Sequence, residues 1–325
     1  MSGFKVLRST DDWEGLYGPA KLTSVVSIGN FDGLHLGHQQ ILRGVVERAP
    51  AWGALAAAVT FDPHPLKVLR PEQAPRLLQT LEQKVAGFIE LGLDAALVLN
   101  FNSALAALSP EEFVRRTLAG PLRATVVLVG HSFRFGNKQA GNAERLRELG
   151  EKFGFAVEIV EPVIVDGEVV SSSVVRSAVA EGRVARAARL LGRPFALTGK
   201  ILRGTGRGAS VVFPTLNLTP EQELLPKTGV YATETLVGAR VYRSATNVGV
   251  RPTFDGGALS VESHLFDFSE NLASGRIEVR FWERLRDERK FSGPEALRQQ
   301  IAADLDQTRE FFRRLDQSAV TPQSA

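Results

Sequence analysis

Between Ser24 and about Ala188, short apolar runs alternate with longer mixed stretches. SVVSIG, ALAAAVTF, AALVLNF, ATVVLVG and AVEIV are almost unbroken in apolar residues. Such runs predict strands of a parallel sheet covered on both faces, because polar alternation is needed only where one face meets water. The intervening stretches Gly37–Ala49, Leu81–Leu91, Pro110–Leu118 and Asn142–Phe153 read as helices. Strand and helix in turn predict a doubly wound α/β domain, whose ligands bind beyond the carboxyl ends of the strands.

After Arg189 the pattern changes. FALTGKIL, VVFPTLNL, GVYATETLV, ARVYRSATNVGV, SVESHLFDF and RIEVRFWERL are strand-like and separated by glycines and polar turns. In the last of these, Ile277, Val279 and Phe281 alternate with Glu278, Arg280 and Trp282, the period of a half-buried antiparallel strand. Consecutive strands without helices between them predict a small closed barrel. Pro294 then opens a helix with Leu297, Ile301, Leu305, Thr308 and Phe312 at helical spacing, expected to pack on that barrel. The tail QSAVTPQSA is expected to fray. There is no internal repeat, and the domain boundary falls near LLGRPF, giving domains 1–188 and 189–325.

A chain of 325 residues agrees with two domains. Hydrophobic content of 44% and charged content of 23% are those of an ordinary globular protein. The net charge of +3 suits phosphate-bearing small molecules, and no long Lys/Arg block marks a nucleic-acid arm. With no cysteine, disulfides and Cys-ligated zinc are excluded. The first residues lack the apolar core of a signal peptide, and no apolar stretch is long enough to span a bilayer. The expectation is a cytoplasmic protein without nucleic-acid or membrane partners.

The stretch SIGNFDGLHLGHQQIL, Ser27–Leu42, concentrates Gly29, Gly33, Gly37, His35 and His38 at a strand-to-helix turn. A helix start offers free N–H groups and the positive end of its dipole to an anion. Two imidazoles there can hydrogen-bond oxygens whose charge grows during attack on phosphorus. A glycine-rich structural turn is the plain alternative. A zinc pair lacks a clear third ligand nearby.

These residues carry a resemblance. GNFDGLHLGH resembles the HxGH signature of the nucleotidyltransferase superfamily. TFDPHP (60–65), VGHSFRFGNKQAGN (129–142) and VSSSVVRSAVAEG (170–182) resemble the further motifs of the FMN adenylyltransferase half of prokaryotic FAD synthetases. The resemblance implies that His35 and His38 contact ATP phosphates, and that Gly29, Asn30, Phe31, Asp32, Gly37 and Ser132 line the nucleotide. It implies that Ser172, Ser173 and Arg176 hold the nucleotide from the opposite side, and that Phe61 and His64 face the flavin. Ser132 stands where the family has Asp or Asn, and Ser173 where it has Thr. Unaided, SSSVVRS is a capped helix start with Ser173 as N-cap, and His64 between prolines is a rigid turn.

The second half resembles riboflavin kinase through GKILRGTGRGASVVFPTLNL (199–218), TGVYA (228–232), ATNVGVRPTF (245–254), VESHLFDF (261–268) and RDERKF (286–291). In RGTGRG, Gly204, Gly206, Arg207 and Gly208 form a basic loop able to wrap phosphates. Thr215 and Asn217 alternate on one strand face as hard oxygen ligands suited to magnesium carried by ATP. Glu262 and His264 share a face; the resemblance makes Glu262 the base for the riboflavin 5′-hydroxyl, and His264 reads as structural. The resemblance also implies that Arg286 and Glu288 contact the flavin. Val212 and Leu216 replace the Gly and Ala of the commoner GFPTAN motif, and Val212 is positioned to crowd the loop.

The resemblance implies a bifunctional transferase that converts riboflavin to FMN and FMN to FAD. ATP with magnesium is the co-substrate, flavins are substrates and products, and no prosthetic group is held permanently. Two alternatives are an adenylyltransferase whose barrel only binds flavin or nucleotide, and a tRNA-charging or RNA-binding protein. The second lacks a KMSKS-like lysine motif and a basic-aromatic stripe.

Overall fold

A computed structural model describes residues 3–202, 215–250, 259–270, 272 and 274–320. The chain divides into two compact units, Met1–Ser172 and Ser173–Ala325. Among the described residues no helix is long and apolar enough to cross a membrane.

In the first unit, β1 (Lys5–Leu7), β2 (Ser24–Ile28), β3 (Leu55–Asp62), β4 (Ala95–Asn100), β5 (Ala124–Gly130) and β6 (Ala156–Val160) form one six-stranded sheet in the order β1-β4-β3-β2-β5-β6. Every pairing is parallel. The helices flanking it are α1 (Thr10–Tyr17), α2 (Leu36–Arg48), α3 (Leu81–Glu90) and α4 (Ala143–Phe153). Alternate strand residues enter two cores. Val26, Ile28, Val59, Leu97 and Val127 pack with Trp13 and Leu146. Val25, Ala58, Val98 and Leu128 pack with Leu42, Val45 and Phe88.

The expected strands and helices of this unit are present, with three differences. Helix 110–118 begins as an α turn, Pro110–Phe113, and continues as a wider π turn, Val114–Ala119. The edge strand β6 is only partly buried, since it has a neighbour on one side alone. β1 and α1 were not anticipated. The strand is three residues long with two exposed, too short for a period. The helix is capped by Ser9, whose side chain accepts from the Asp12 N–H, and it buries Trp13 and Tyr17.

The second unit opens with α5 (Ser172–Ala180) and α6 (Val184–Leu191). Ser173 therefore lies inside the first turn of α5 rather than capping it. Six strands follow: β7 (Phe195–Leu202), β8 (Leu216–Pro220), β9 (Gly229–Val237), β10 (Arg240–Val250), β11 (Leu259–Leu265) and β12 (Arg276–Arg286). They close a barrel in the order β7-β8-β11-β10-β9-β12, with every pairing antiparallel. The expected alternation in β12 holds: Ile277, Val279 and Phe281 are buried and their neighbours half-buried. Hydroxyls of Thr233, Thr235, Ser244, Thr246 and Ser263 are also buried, and they satisfy one another at 2.6–2.8 Å.

The last helix, α7 (Pro294–Val320), packs on β9, β10 and β12 through Leu305, Thr308 and Phe312. It continues through the start of the tail expected to fray, and residues 321–325 lie outside the described ones. Arg286 at the end of β12 pairs with Asp304 of α7, Nε to Oδ1 at 2.8 Å and Nη2 to Oδ2 at 2.7 Å. The side chains keep only 19% and 5% of their exposure. A largely buried bidentate pair is costly to break by halves, because the remaining charge is stranded. Asp304→Ala is expected to destabilise the barrel unit by about 3 kcal/mol, visible as a lowered barrel transition in scanning calorimetry of the whole chain. An unmoved transition would show that the pair does not fasten the helix.

Candidate active sites

The order β1-β4-β3-β2-β5-β6 reverses direction between β2 and β5. Beyond the carboxyl ends of strands at such a point lies the crevice of an open α/β sheet. The turn Gly29–His35 leaves β2 there, and the exposed turn carrying Ser132 leaves β5. Gly33 is left-handed (φ 84), the region that glycine enters freely. His35 caps α2, its Nδ1 accepting the His38 N–H at 3.3 Å. Neutral His35 therefore carries its proton on Nε2, which makes that atom a donor. The two imidazoles stack with centroids 3.7 Å apart. Gly37 leaves space for this stack, since a Cβ there would lie 3.3 Å from the His35 ring.

Neighbouring segments brace the turn. The Asp32 carboxylate accepts the Leu78 N–H at 3.0 and 3.2 Å, Gln79 donates to the Phe31 carbonyl at 2.8 Å, and the Ser172 hydroxyl donates to the Asp32 carbonyl at 2.9 Å. Phe31 meets the His38 ring edge-on at 5.3 Å. Asn30 Nδ2 lies 3.2 Å from His64 Nε2, so the structure brings His64 to the turn. His64 also caps the short helix Pro65–Leu69. Phe61, near the end of β3, packs edge-on against Phe101. Ser173 and Arg176 continue α5 in the second unit.

The electrostatics were less legible than the motif. His38 Nδ1 is enclosed with no hydrogen-bond partner among the described residues. Burial, then the adjacent His35, then Lys84, hold His38 well below its ordinary value of 6.5. Lys84 itself is 9% exposed. Burial lowers it from its ordinary value, while Asp32 and Asp62 act to raise it. Sequence reading passed over this lysine; a cation within an apolar helical stripe was the available signal.

On the barrel, Leu216 and Leu218 point inward, whereas Thr215 is exposed and Asn217 half-buried. The Leu216 replacement is thus core packing and does not crowd the outer face. Glu262 and His264 are likewise half-buried between inward-facing Val261, Ser263 and Leu265. Glu262 sits opposite Asn217 on one neighbouring strand and opposite Asn247 on the other. Asn247 was not singled out from sequence, and only the register reveals it. Glu288 closes on the same place: a Cβ on Gly249 would lie 2.7 Å from its Oε1 and 2.9 Å from Asn247 Nδ2. Arg286 is turned to Asp304 instead. Gly204, Gly206, Arg207, Gly208 and Val212 lie outside the described residues.

A cavity of about 860 Å³ adjoins His264, walled by Tyr242, Phe266, Phe268 and Phe312 with Arg243 and Arg309. The described residues hold no cluster of three His, Asp or Glu able to cage a metal. Hydroxyl, amide and one carboxylate fit a magnesium ion that arrives on nucleotide phosphates.

An α/β unit with an HxGH turn at its strand-order reversal, followed by a six-stranded barrel bearing Asn217, Glu262 and Asn247 in register, is the architecture of a two-domain transferase acting on nucleotide phosphates. The family model for FAD synthetase matches residues 19–174, and that for riboflavin kinase residues 191–312. A bifunctional riboflavin kinase/FMN adenylyltransferase of Pseudomonas fluorescens is 39% identical over 282 residues, covering 86% of this chain and 90% of the relative. That of Escherichia coli K12 is 35% identical, covering 89% and 92%. A crystal structure named as a macrolide-efflux protein from Streptococcus pneumoniae superposes with a TM-score of 0.85 at 29% identity, covering 94% and 98%. The chain belongs to the bifunctional riboflavin kinase/FMN adenylyltransferase family.

The lowered His38 has a thermodynamic consequence. On acidification the unfolded chain protonates this histidine near 6.5, before the folded chain does. Its contribution to stability is complete above that pH and is lost as pH falls toward the folded value. His38→Gln is expected to flatten the decline in the thermal midpoint of the first unit between about pH 7 and pH 5. An unchanged slope would assign the decline to another group.

Proposed function

We propose that the chain makes FAD from riboflavin by two ATP-dependent transfers, one in each unit. The observation that carries this reading is that each unit presents its own phosphate-handling group. One is the stacked His35–His38 pair at the strand-order reversal. The other is Glu262 flanked by Asn217 and Asn247 on the barrel face.

In the barrel, Glu262 accepts the proton of the riboflavin 5′-hydroxyl as its oxygen bonds to the γ-phosphorus of ATP and the bond to ADP breaks. Thr215 and Asn217 would hold magnesium, which when bound offsets phosphate charge. Glu288 and Asn247 border the acceptor side, and the aromatic cavity beside His264 offers walls for one of the planar rings. In the first unit, an FMN phosphate oxygen bonds to the α-phosphorus of a second ATP and pyrophosphate leaves. The imidazoles of His35 and His38 and the start of α2 donate to the phosphate oxygens as charge moves across them. Ser132 and Ser172 border the nucleotide, the family resemblance assigns Ser173 and Arg176 to it as well, and His64 and Phe61 face the flavin. The functional domains are residues 1–188 and 189–325. A barrel that only binds ligand is not favoured, because relatives with both activities in their names align along nearly the whole chain.

Glu262→Gln preserves shape and removes the base. Riboflavin phosphorylation is expected to fall at least about 100-fold in single-turnover assays, with FMN adenylylation unchanged; near-normal phosphorylation would remove Glu262 from the mechanism. His38→Ala is expected to abolish FAD formation from FMN and leave riboflavin phosphorylation intact. Parallel loss of both in a folded variant would refute the assignment of separate sites.

A further inference from the structure

α3 turns one face toward the HxGH turn. Lys84, Gly87 and Phe88, spaced i, i+3 and i+4, share that face. Phe88 meets Phe31 edge-on at 5.7 Å, and Gly87 is so close to Leu34 that a Cβ would overlap its Cδ1. The third residue of this contact is an ammonium, where an apolar side chain would pack at lower cost. Its Nζ makes one hydrogen bond among the described residues, to Thr60 Oγ1 at 3.3 Å. Thr60 is fully buried and donates onward to the Asn30 carbonyl at 3.3 Å. Asn30 in turn meets His64 Nε2 through its side-chain amide; because His64 Nδ1 accepts the Leu66 N–H, Nε2 is the donor and the amide oxygen of Asn30 its acceptor. A buried ammonium, with the carboxylates of Asp32 and Asp62 acting on it, is thus joined by three links of 3.2–3.3 Å to both histidine-bearing segments.

We propose that Lys84 is a positioning residue for adenylyl transfer: its ammonium holds Thr60 and, through Asn30, the His64 ring in register with the His35–His38 pair. The proposal rests on the reading that this turn adenylylates FMN. Lys84 does not touch the reacting atoms. It orders the acceptor side of the turn and adds a fixed positive charge behind the phosphate site. The charged and titratable groups acting on His38 and Lys84 are His35 and Asp32 on the turn and Asp62 at the end of β3, with His64 beyond β3 against Asn30. Among them Lys84 is the ammonium that acts to lower His38, so its removal raises His38 toward its ordinary range.

The test is Lys84→Met in the full chain, which keeps length and apolar volume and removes the charge. Turnover of FMN to FAD is expected to fall roughly 10- to 100-fold, with smaller changes in KM for ATP and FMN, and riboflavin phosphorylation is expected to be unaltered. The acid limb of the adenylylation pH profile should move to higher pH. The thermal midpoint should change little, since one buried charge is removed while the Asp32 carboxylate keeps its hydrogen bonds from the Leu78 N–H. Thr60→Val should lower turnover too, and the double variant should be no more than about twofold worse than the poorer single one. A Lys84→Met protein with a lowered midpoint but normal turnover and an unmoved acid limb would overturn the proposal. If that variant does not fold, normal turnover in Thr60→Val overturns it. His38→Ala run alongside separates the two layers: retained FAD formation there defeats the site reading, whereas its loss beside an active Lys84→Met defeats only the role of Lys84.

Discussion

The relation between His35 and His38 depends on a turn held in a conformation the chain resists. Phe31 (φ 49) and Leu34 (φ 44) are left-handed without being glycine, at about 1–2 kcal/mol each. Both side chains are 1% exposed, and burying a Phe or Leu contributes about 1.5–3 kcal/mol. Burial therefore outweighs the backbone cost, and the two side chains act as anchors. With them in place, His35 falls at the cap of α2 and His38 follows within its first turn. A loop without those anchors would present the same two histidines in no defined relation.

On the proposed function, the two units solve a shared problem, holding polar groups ready for phosphate, by opposite means. In the first, the imidazoles are sunk into the protein, where desolvation and neighbouring positive charge keep His38 neutral. A neutral imidazole can donate a hydrogen bond without the reorganisation that accompanies a proton exchange with water. In the second, the closed barrel has its own polar interior of mutually bonded hydroxyls, and Asn217, Glu262 and Asn247 stand on the outside. The alternation of strand side chains makes that sorting automatic. It also explains why Leu216 sits harmlessly between two outward-facing positions.

Some of the fold was legible because local pattern and tertiary demand coincided. Continuous apolar runs belong to strands covered on both faces, and the paired cores found on either side of the sheet are what those runs require. The exceptions have local causes. β1 is too short to show a period, β6 sits at an edge, and the hydroxyls inside the barrel are polar residues that a pattern reader places outside.

By itself, the sequence determined the alternation that builds each unit, the order of the two units, and the residue types of the two proposed sites, because these are properties of local spacing and motif. Only the tertiary structure decided which of those residues meet. It placed His64 against Asn30 and directed Arg286 to Asp304. It also set Asn247 opposite Glu262 and sank the charge of Lys84 behind the histidines. Register, burial and charge environment arise from segments far apart in the chain, and no window of residues contains them.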